Sequence, residues 1–155
     1  MGLIKVGDPA PEFKSSDQYG KEISISHFKG KKVILYFYPK DNTPGCTAEA
    51  CNLRDNYGSL TAKGFVVIGV SADSAASHAK FQSKYTLPFY LIPDEEKKII
   101  TAYNAWGEKK LYGKSYEGIL RKTYIIDEKS KILKIIEKVK TNDHANQILV
   151  ELGIS

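Results

Sequence analysis

Two short, unbroken apolar runs separated by a segment of helical length constrain this chain most. Val33-Ile34-Leu35-Tyr36-Phe37-Tyr38 and Gly64-Phe65-Val66-Val67-Ile68-Gly69-Val70 are rich in β-branched and aromatic residues. A strand with one wet face alternates apolar and polar residues; a strand buried on both faces has no such requirement. The runs therefore predict central strands over 33–38 and 65–71. Between them, a loop over 39–44 leads into a helix expected from about Gly45 to Ala62, with Gly64 where a helix-terminating glycine belongs. A strand–helix–strand succession of this kind points to a parallel crossover.

The remaining segments extend that pattern. Residues 1–10, closed by Pro9 and followed by Pro11, read as an extended lead-in. Glu22-Ile23-Ser24-Ile25-Ser26 alternates like a half-buried strand after a turn at 17–20. Ser74 is placed to cap a helix bearing His78, Phe81 and Tyr85 on one face. A single histidine on an apolar face reads as a packed, hydrogen-bonded residue. Phe89–Ile92 predicts a short strand and Glu95–Tyr103 a helix. Gly118–Ile126 and Ile132–Val139 predict strands joined by a turn at 127–130. The last helix carries Ala145, Ile148, Leu149 and Leu152 on one face and stops at Gly153. The expected class is α/β, with a mixed central β-sheet flanked by helices on both faces.

At 155 residues the chain suits one domain, 1–155, with one core. Its 23 Lys+Arg against 18 Asp+Glu give a formal charge of +5. The lysines are scattered, and arginine, the residue that forks onto bases and phosphates, occurs only at Arg54 and Arg121. A basic nucleic-acid-binding module is thus a rival from another class, disfavoured by composition. Neither apolar run could span a bilayer. Lys5 and Asp8 interrupt the one stretch that could open a signal peptide, and Val6 stands where a myristoylation signal beginning at Met1-Gly2 needs Ser or Thr. The expectation is a cytoplasmic protein without membrane association. Cys46 and Cys51 are the only cysteines, too few for a disulfide-stapled fold. His27, His78 and His144 have no metal-ligand spacing to either, so no metal site is expected. Two inert buried thiols or a reactive pair remain.

Local chemistry favours reactivity at the first. Thr43 is a good N-cap and Pro44 suits the first helical position, which puts Cys46 in the first turn. There its sulfur would lie beside amide N–H groups that lack intrahelical partners, and these together with the helix dipole favour a thiolate. Cys51 follows five residues later. On a regular helix that spacing means about 140° of rotation and about 7.5 Å of rise. The Cα atoms would be more than about 8 Å apart, beyond the range of roughly 4.4–6.8 Å that a disulfide tolerates. The pair can bond only if the helix unwinds.

The segment Pro39-x-x-x-Thr43-x-x-Cys46 resembles the active-site motif of the peroxiredoxins. Its continuation Gly45-Cys46-Thr47-Ala48-Glu49-Ala50-Cys51, with Leu53-Arg54-Asp55, is similar to one branch, the bacterioferritin comigratory protein or peroxiredoxin Q group. Gly7-Asp8-Pro9-Ala10-Pro11-Glu12-Phe13, Ser71-Ala72-Asp73, Trp106-Gly107-Glu108-Lys109-Lys110-Leu111-Tyr112-Gly113-Lys114 and Gly118–Asp127 extend the likeness over nearly the whole chain. Pro93 departs from it, at a strand end where the group commonly has a small polar residue.

The resemblance implies a thioredoxin-like fold and reduction of hydrogen peroxide or alkyl hydroperoxides. Cys46 would be the peroxidatic cysteine, attacking the O–O bond and becoming a sulfenic acid. Thr43 would hydrogen-bond the sulfur or the peroxide, and Pro39 would wall the pocket. Arg121 would set its guanidinium near the sulfur; the bland alternative is an ion pair at a strand end. Cys51 matches the resolving cysteine of part of the group and would form an intramolecular disulfide with Cys46, reopened by thioredoxin. No metal, flavin or haem is called for, because the thiolate supplies the electrons. The protein would be a monomer or a weak homodimer. A general thiol–disulfide exchange protein on the same fold is the alternative. Glu49 has no assigned role: its charge should oppose a nearby thiolate, and a helix-surface or backbone contact is the plain reading. Trp106 is expected beside the active-site loop or in the core.

Overall fold

The computed structural model describes residues 3–154. Met1 and Gly2, where the myristoylation reading falls, lie outside them.

The chain begins with an antiparallel hairpin of β1 (Lys14–Ser16) and β2 (Glu22–Ser24), followed by a 3-10 turn over Ser26–Phe28. The central sheet starts with β3 (Lys32–Phe37). Two helices, α1 (Pro44–Asp55) and α2 (Tyr57–Ala62), cross over to β4 (Phe65–Ser71). Then come α3 (Ala75–Tyr85), β5 (Tyr90–Pro93) and α4 (Lys98–Ala102). A second hairpin, β6 (Trp106–Leu111) with β7 (Lys114–Ile119), precedes β8 (Lys122–Ile126), β9 (Ile132–Ile136) and α5 (His144–Leu152).

The 5-stranded sheet has the order β5-β4-β3-β8-β9. β3, β4 and β5 are parallel, and β8 and β9 add antiparallel to them. This is the mixed sheet the strand pattern predicts, with the two apolar runs side by side at its centre. Alternate residues of β3 serve two cores. Val33, Leu35 and Phe37 face a layer that contains Ile23, Ile25, Ile99, Ile100 and Tyr103, from the first hairpin and the α4 region. Ile34 and Tyr36, with Tyr38 just past the strand's end, face one that contains Ala50, Leu53, Leu60, Phe81 and Ile148, from α1, α2, α3 and α5. Each fully buried leucine or isoleucine contributes roughly 1.5–3 kcal/mol. Tyr36 is paired in register with Gly69 on β4, and a Cβ at 69 would stand 2.9 Å from the Tyr36 ring. Glycine is required there by close approach.

Several boundaries differ from the sequence expectation, each for a local reason. The helix expected over 45–62 breaks at Asn56, whose side-chain Nδ2 donates to the Asn52 carbonyl at 2.8 Å and closes α1. The helix expected over 95–103 shortens to Lys98–Ala102. Lys97 takes a left-handed φ of 60°, and the Asp94 carboxylate accepts from the amides of Lys98 and Ile100 at 3.1 and 2.8 Å. Gly118–Ile126 is not one strand. Gly118 and Ile119 belong to the hairpin, the Leu120 amide bonds the Ala105 carbonyl at 2.7 Å, and β8 begins at Lys122. Arg121 sits at that break. The strands expected over 22–26 and 132–139 end early, at Ser24 and Ile136.

Candidate active site

Cys46 lies in the first turn of α1, just beyond the C-terminal end of β3. Thr43 occupies the N-cap and Pro44 the first helical position, as expected, but Thr43 does not cap through its side chain. Its hydroxyl instead donates to the Lys40 carbonyl at 2.8 Å, which leaves its oxygen free to accept. The Thr47 amide bonds the Thr43 carbonyl at 2.8 Å, and Pro44 has no N–H. The first-turn amides without an intrahelical partner are therefore those of Gly45 and Cys46. Cys46 is 1% exposed, while Cys51, on the same continuous helix, is half-buried; both are free thiols. Pro39 is half-buried in the loop that leaves β3.

Arg121 reaches this helix from the break before β8. Its Nη2 stands 3.4 Å from Cys46 Sγ, and its Nη1 donates to Glu49 Oε1 at 2.8 Å. The tertiary fold thus brings Arg121 to Cys46, with Thr43 three residues ahead of the sulfur. A cleft of about 720 Å³ between Glu12–Ser15 and Pro93–Tyr103 contains none of these residues.

The motif architecture has counterparts. Residues 6–135 match the model of the AhpC/TSA family. Peroxiredoxin Bcp of Bacillus subtilis is 44% identical over 149 residues, covering 96% of this chain and 95% of its own length. Peroxiredoxin Bcp of Escherichia coli K12 is 40% identical over 149 residues, 96% of each chain. The chain is a peroxiredoxin of the AhpC/TSA family, in its Bcp/peroxiredoxin Q group. Solved structures agree. A bacterioferritin comigratory protein from Xanthomonas campestris, described for its alkyl peroxide reduction activity, superposes with a TM-score of 0.84 at 31% identity, covering 91% of this chain and 90% of that one. A cysteine-to-serine variant of peroxiredoxin Q from Xylella fastidiosa gives a TM-score of 0.86 at 29% identity, covering 99% and 98%. The sheet and its flanking helices are accordingly the thioredoxin-like fold of the peroxiredoxins, which are oxidoreductases that reduce peroxides at the expense of thiols.

In this peroxiredoxin, Glu49 is not a helix-surface residue. It is 0% exposed, and burial pushes its carboxyl up to about 7, although the Arg121 charge and hydrogen bond pull the other way. Desolvation wins because only one of its oxygens is bonded: Oε2 has no hydrogen-bond partner among the described residues. Oε2 lies 3.6 Å from His144 Nε2, on α5. Burial lowers His144 to about 4, so this contact is no ion pair at neutral pH. The tautomer follows from the neighbours. Gln147 Oε1 already accepts from the Lys140 amide at 2.9 Å, and its Nε2 donates to the Lys138 carbonyl at 2.8 Å, which fixes the amide's orientation. His144 Nδ1, 2.9 Å from that oxygen, must carry the proton. Nε2 then accepts from the Thr123 hydroxyl at 2.8 Å and offers nothing to Glu49.

Burial works against the Arg121 cation, but Cys46 and Glu49 outweigh it and raise its pKa further. Lys109, on the β6–β7 hairpin, also feels the site. Burial lowers its amine first and the Arg121 charge lowers it further, while Cys46 acts in the opposite sense. Its Nζ donates to the Ile119 carbonyl at 2.8 Å. Lys109 and His144 carry no sign of a site role in the sequence, since only long-range packing places them here. Glu49 at least carried a signal: a carboxylate three residues after the cysteine within the motif.

His78 is the packed histidine expected of its apolar face. It is 0% exposed, with Nδ1 2.7 Å from Asp41 Oδ2 and Nε2 3.1 Å from the Ile92 carbonyl. Asp41, Asp73 and His78 could offer a cation ligand atoms within 4.8 Å of one another. Each already makes protein hydrogen bonds: Asp41 also accepts from Tyr38 and Ser77, and Asp73 accepts from Ser71 and the Asp41 amide. The cluster ties the active-site loop to α3. Trp106 packs against the sheet face opposite to Cys46, with Nε1 donating to Glu117 Oε2 at 3.2 Å, so its place is core edge rather than the active-site loop.

Proposed function

We propose that residues 1–155 act as a single peroxiredoxin domain in which Cys46 is the peroxidatic cysteine, working on hydrogen peroxide and alkyl hydroperoxides. The observation that carries this reading is the Arg121 guanidinium 3.4 Å from a buried sulfur in a helix's first turn. A cation beside the sulfur and the N-terminal end of a helix dipole lie where a thiolate's charge has to be held. The thiolate attacks the terminal peroxide oxygen. An S–O bond forms and the O–O bond breaks. The electron pair leaves with the alkoxide or hydroxide, which takes up a proton. Thr43, its own hydrogen occupied by the Lys40 carbonyl, accepts from the peroxide O–H and orients it. Arg121 balances the negative charge as it moves from sulfur to oxygen. Pro39 shields the sulfenic acid from bulk water.

Cys51 then resolves. Its thiolate attacks the Cys46 sulfur, S–S forms, S–O breaks, and the departing hydroxide is protonated to water. Both cysteines lie on the unbroken helix Pro44–Asp55, so α1 must open for this step. The opened disulfide is accessible to a dithiol protein, thioredoxin, which returns both thiols. The working place is the cytoplasm, where such a reductant keeps Cys46 and Cys51 reduced, and the unit is a monomer or weak homodimer. No helix among the described residues is long and apolar enough to cross a membrane.

Intact mass after one equivalent of peroxide tests the sequence of events. The protein should lose two hydrogens, Cys51→Ser should gain one oxygen, and Cys46→Ser should do neither. Peroxide consumption by Cys46→Ser at the wild-type rate would end the assignment.

A further inference from the structure

We infer that Asn52 is a positioning residue that latches α1 shut and thereby sets how often Cys51 can reach Cys46. This rests on the reading of Cys51 as the resolving cysteine. Asn52 follows Cys51 directly, on the helix that must open if the two sulfurs are to meet. Its side chain grips the start of α5 with both ends. Oδ1 accepts from the Ala145 amide at 2.8 Å, and Nδ2 donates to the Asn142 carbonyl at 3.2 Å. The amide cannot be turned around, because that would set N–H against N–H and carbonyl against carbonyl.

The contact is more than a surface tie. The first turn of any helix presents amides without intrahelical partners, and a side chain of the preceding residue usually takes one. In α5 that residue is Asp143, which makes no such bond; its carboxylate is turned to the Asn146 side chain at 3.3 Å. Asn52 supplies the missing cap from another helix. Around it Ala50, Leu53, Ala145 and Ile148 pack in one core. Opening α1 therefore uncaps α5, and the two events are coupled. Arg121 holds the Cys46 end of α1 while Asn52 holds the Cys51 end. The resolving step requires the second grip to be released.

Hydrogen exchange on the reduced, full-length protein provides the test, with resolution kinetics beside it. Asn52→Ala should raise exchange of the α1 amides about tenfold, the scale of losing a helix cap, and leave β3 and β4 unchanged. Alanine is the better helix former, so a loss of helix propensity cannot produce that rise. The same variant should pass from sulfenic acid to disulfide about tenfold faster, with an unchanged rate constant for the reaction with peroxide. Asn52→Asp keeps the acceptor for Ala145 and should fall between wild type and Asn52→Ala. In the wild type, oxidation should loosen the first turn of α5. Unchanged α1 exchange, or a uniform increase over the whole chain, would overturn the latch. If the wild type does not lose two hydrogens on oxidation, the reading of Cys51 fails instead, while exchange still decides whether Asn52 holds α1.

Discussion

Arg121 divides one guanidinium between two acidic groups of the same helix, with Nη2 at 3.4 Å from Cys46 Sγ and Nη1 at 2.8 Å from Glu49 Oε1. The planar fork permits this because its two terminal nitrogens diverge at a fixed angle. A lysine ammonium carries charge and three donors on a single nitrogen, but it has no planar fork whose separate nitrogens reach the sulfur and the carboxylate in this geometry. Arg121→Lys should therefore lower the rate constant for oxidation by peroxide about 10- to 100-fold, the scale of one charge-assisted hydrogen bond, with charge conserved. Stopped-flow oxidation of the reduced protein measures it. An unchanged constant removes Arg121 from the site.

Gly45 controls the same fork from the other side. A Cβ built there would stand 3.2 Å from Arg121 Nη2, which is tighter than ordinary contact. Gly45→Ala should displace the guanidinium by a few tenths of an ångström and slow oxidation several-fold. Global stability should change by less than about 1 kcal/mol, because alanine also favours the helix. Parallel stopped-flow and urea titrations separate the two effects; a large stability loss with full reactivity would contradict this account.

Glu49 makes a pH signature in stability. Its folded pKa is raised by burial from 4.5 to about 7, so the fold prefers its neutral form. The associated stability is fully present below about pH 4.5 and is lost as pH rises through about 7. Glu49→Gln removes that dependence. Measured by urea unfolding, the stability of the variant relative to wild type should improve by on the order of 2–3 kcal/mol between pH 4.5 and pH 8. Superimposable pH profiles would show that Glu49 remains ionised.

His144 acts in the opposite window. Burial lowers its folded pKa from 6.5 to about 4, so the unfolded chain binds the proton more readily. The stability it contributes is fully present above about pH 6.5 and is lost as pH falls through about 4. His144→Gln should be less stable at pH 7, having lost a buried hydrogen bond with Thr123, yet show a shallower decline toward pH 4. Nuclear magnetic resonance titration of the imidazole gives a direct check, and a midpoint near its ordinary value would refute the assignment.

Sequence alone determined what depends on near neighbours. Period and composition marked β3 and β4 as doubly buried, and Thr43-Pro44 fixed where α1 starts and hence the place of Cys46 in its first turn. The spacing to Cys51 already required that a bond between the two open the helix. Those inferences rest on backbone geometry, which repeats from chain to chain. Tertiary structure decided the rest. Arg121 meets Cys46 across 75 positions, Glu49 meets Arg121 across 72, and Asn52 meets Ala145 across 93. Even the interruption at Leu120 depends on a hydrogen bond to the Ala105 carbonyl that propensity does not report. The charge states of Glu49 and His144 follow from how completely the assembled layers exclude water. Desolvation is a property of the packed volume around a group, so no local run of residues can encode it.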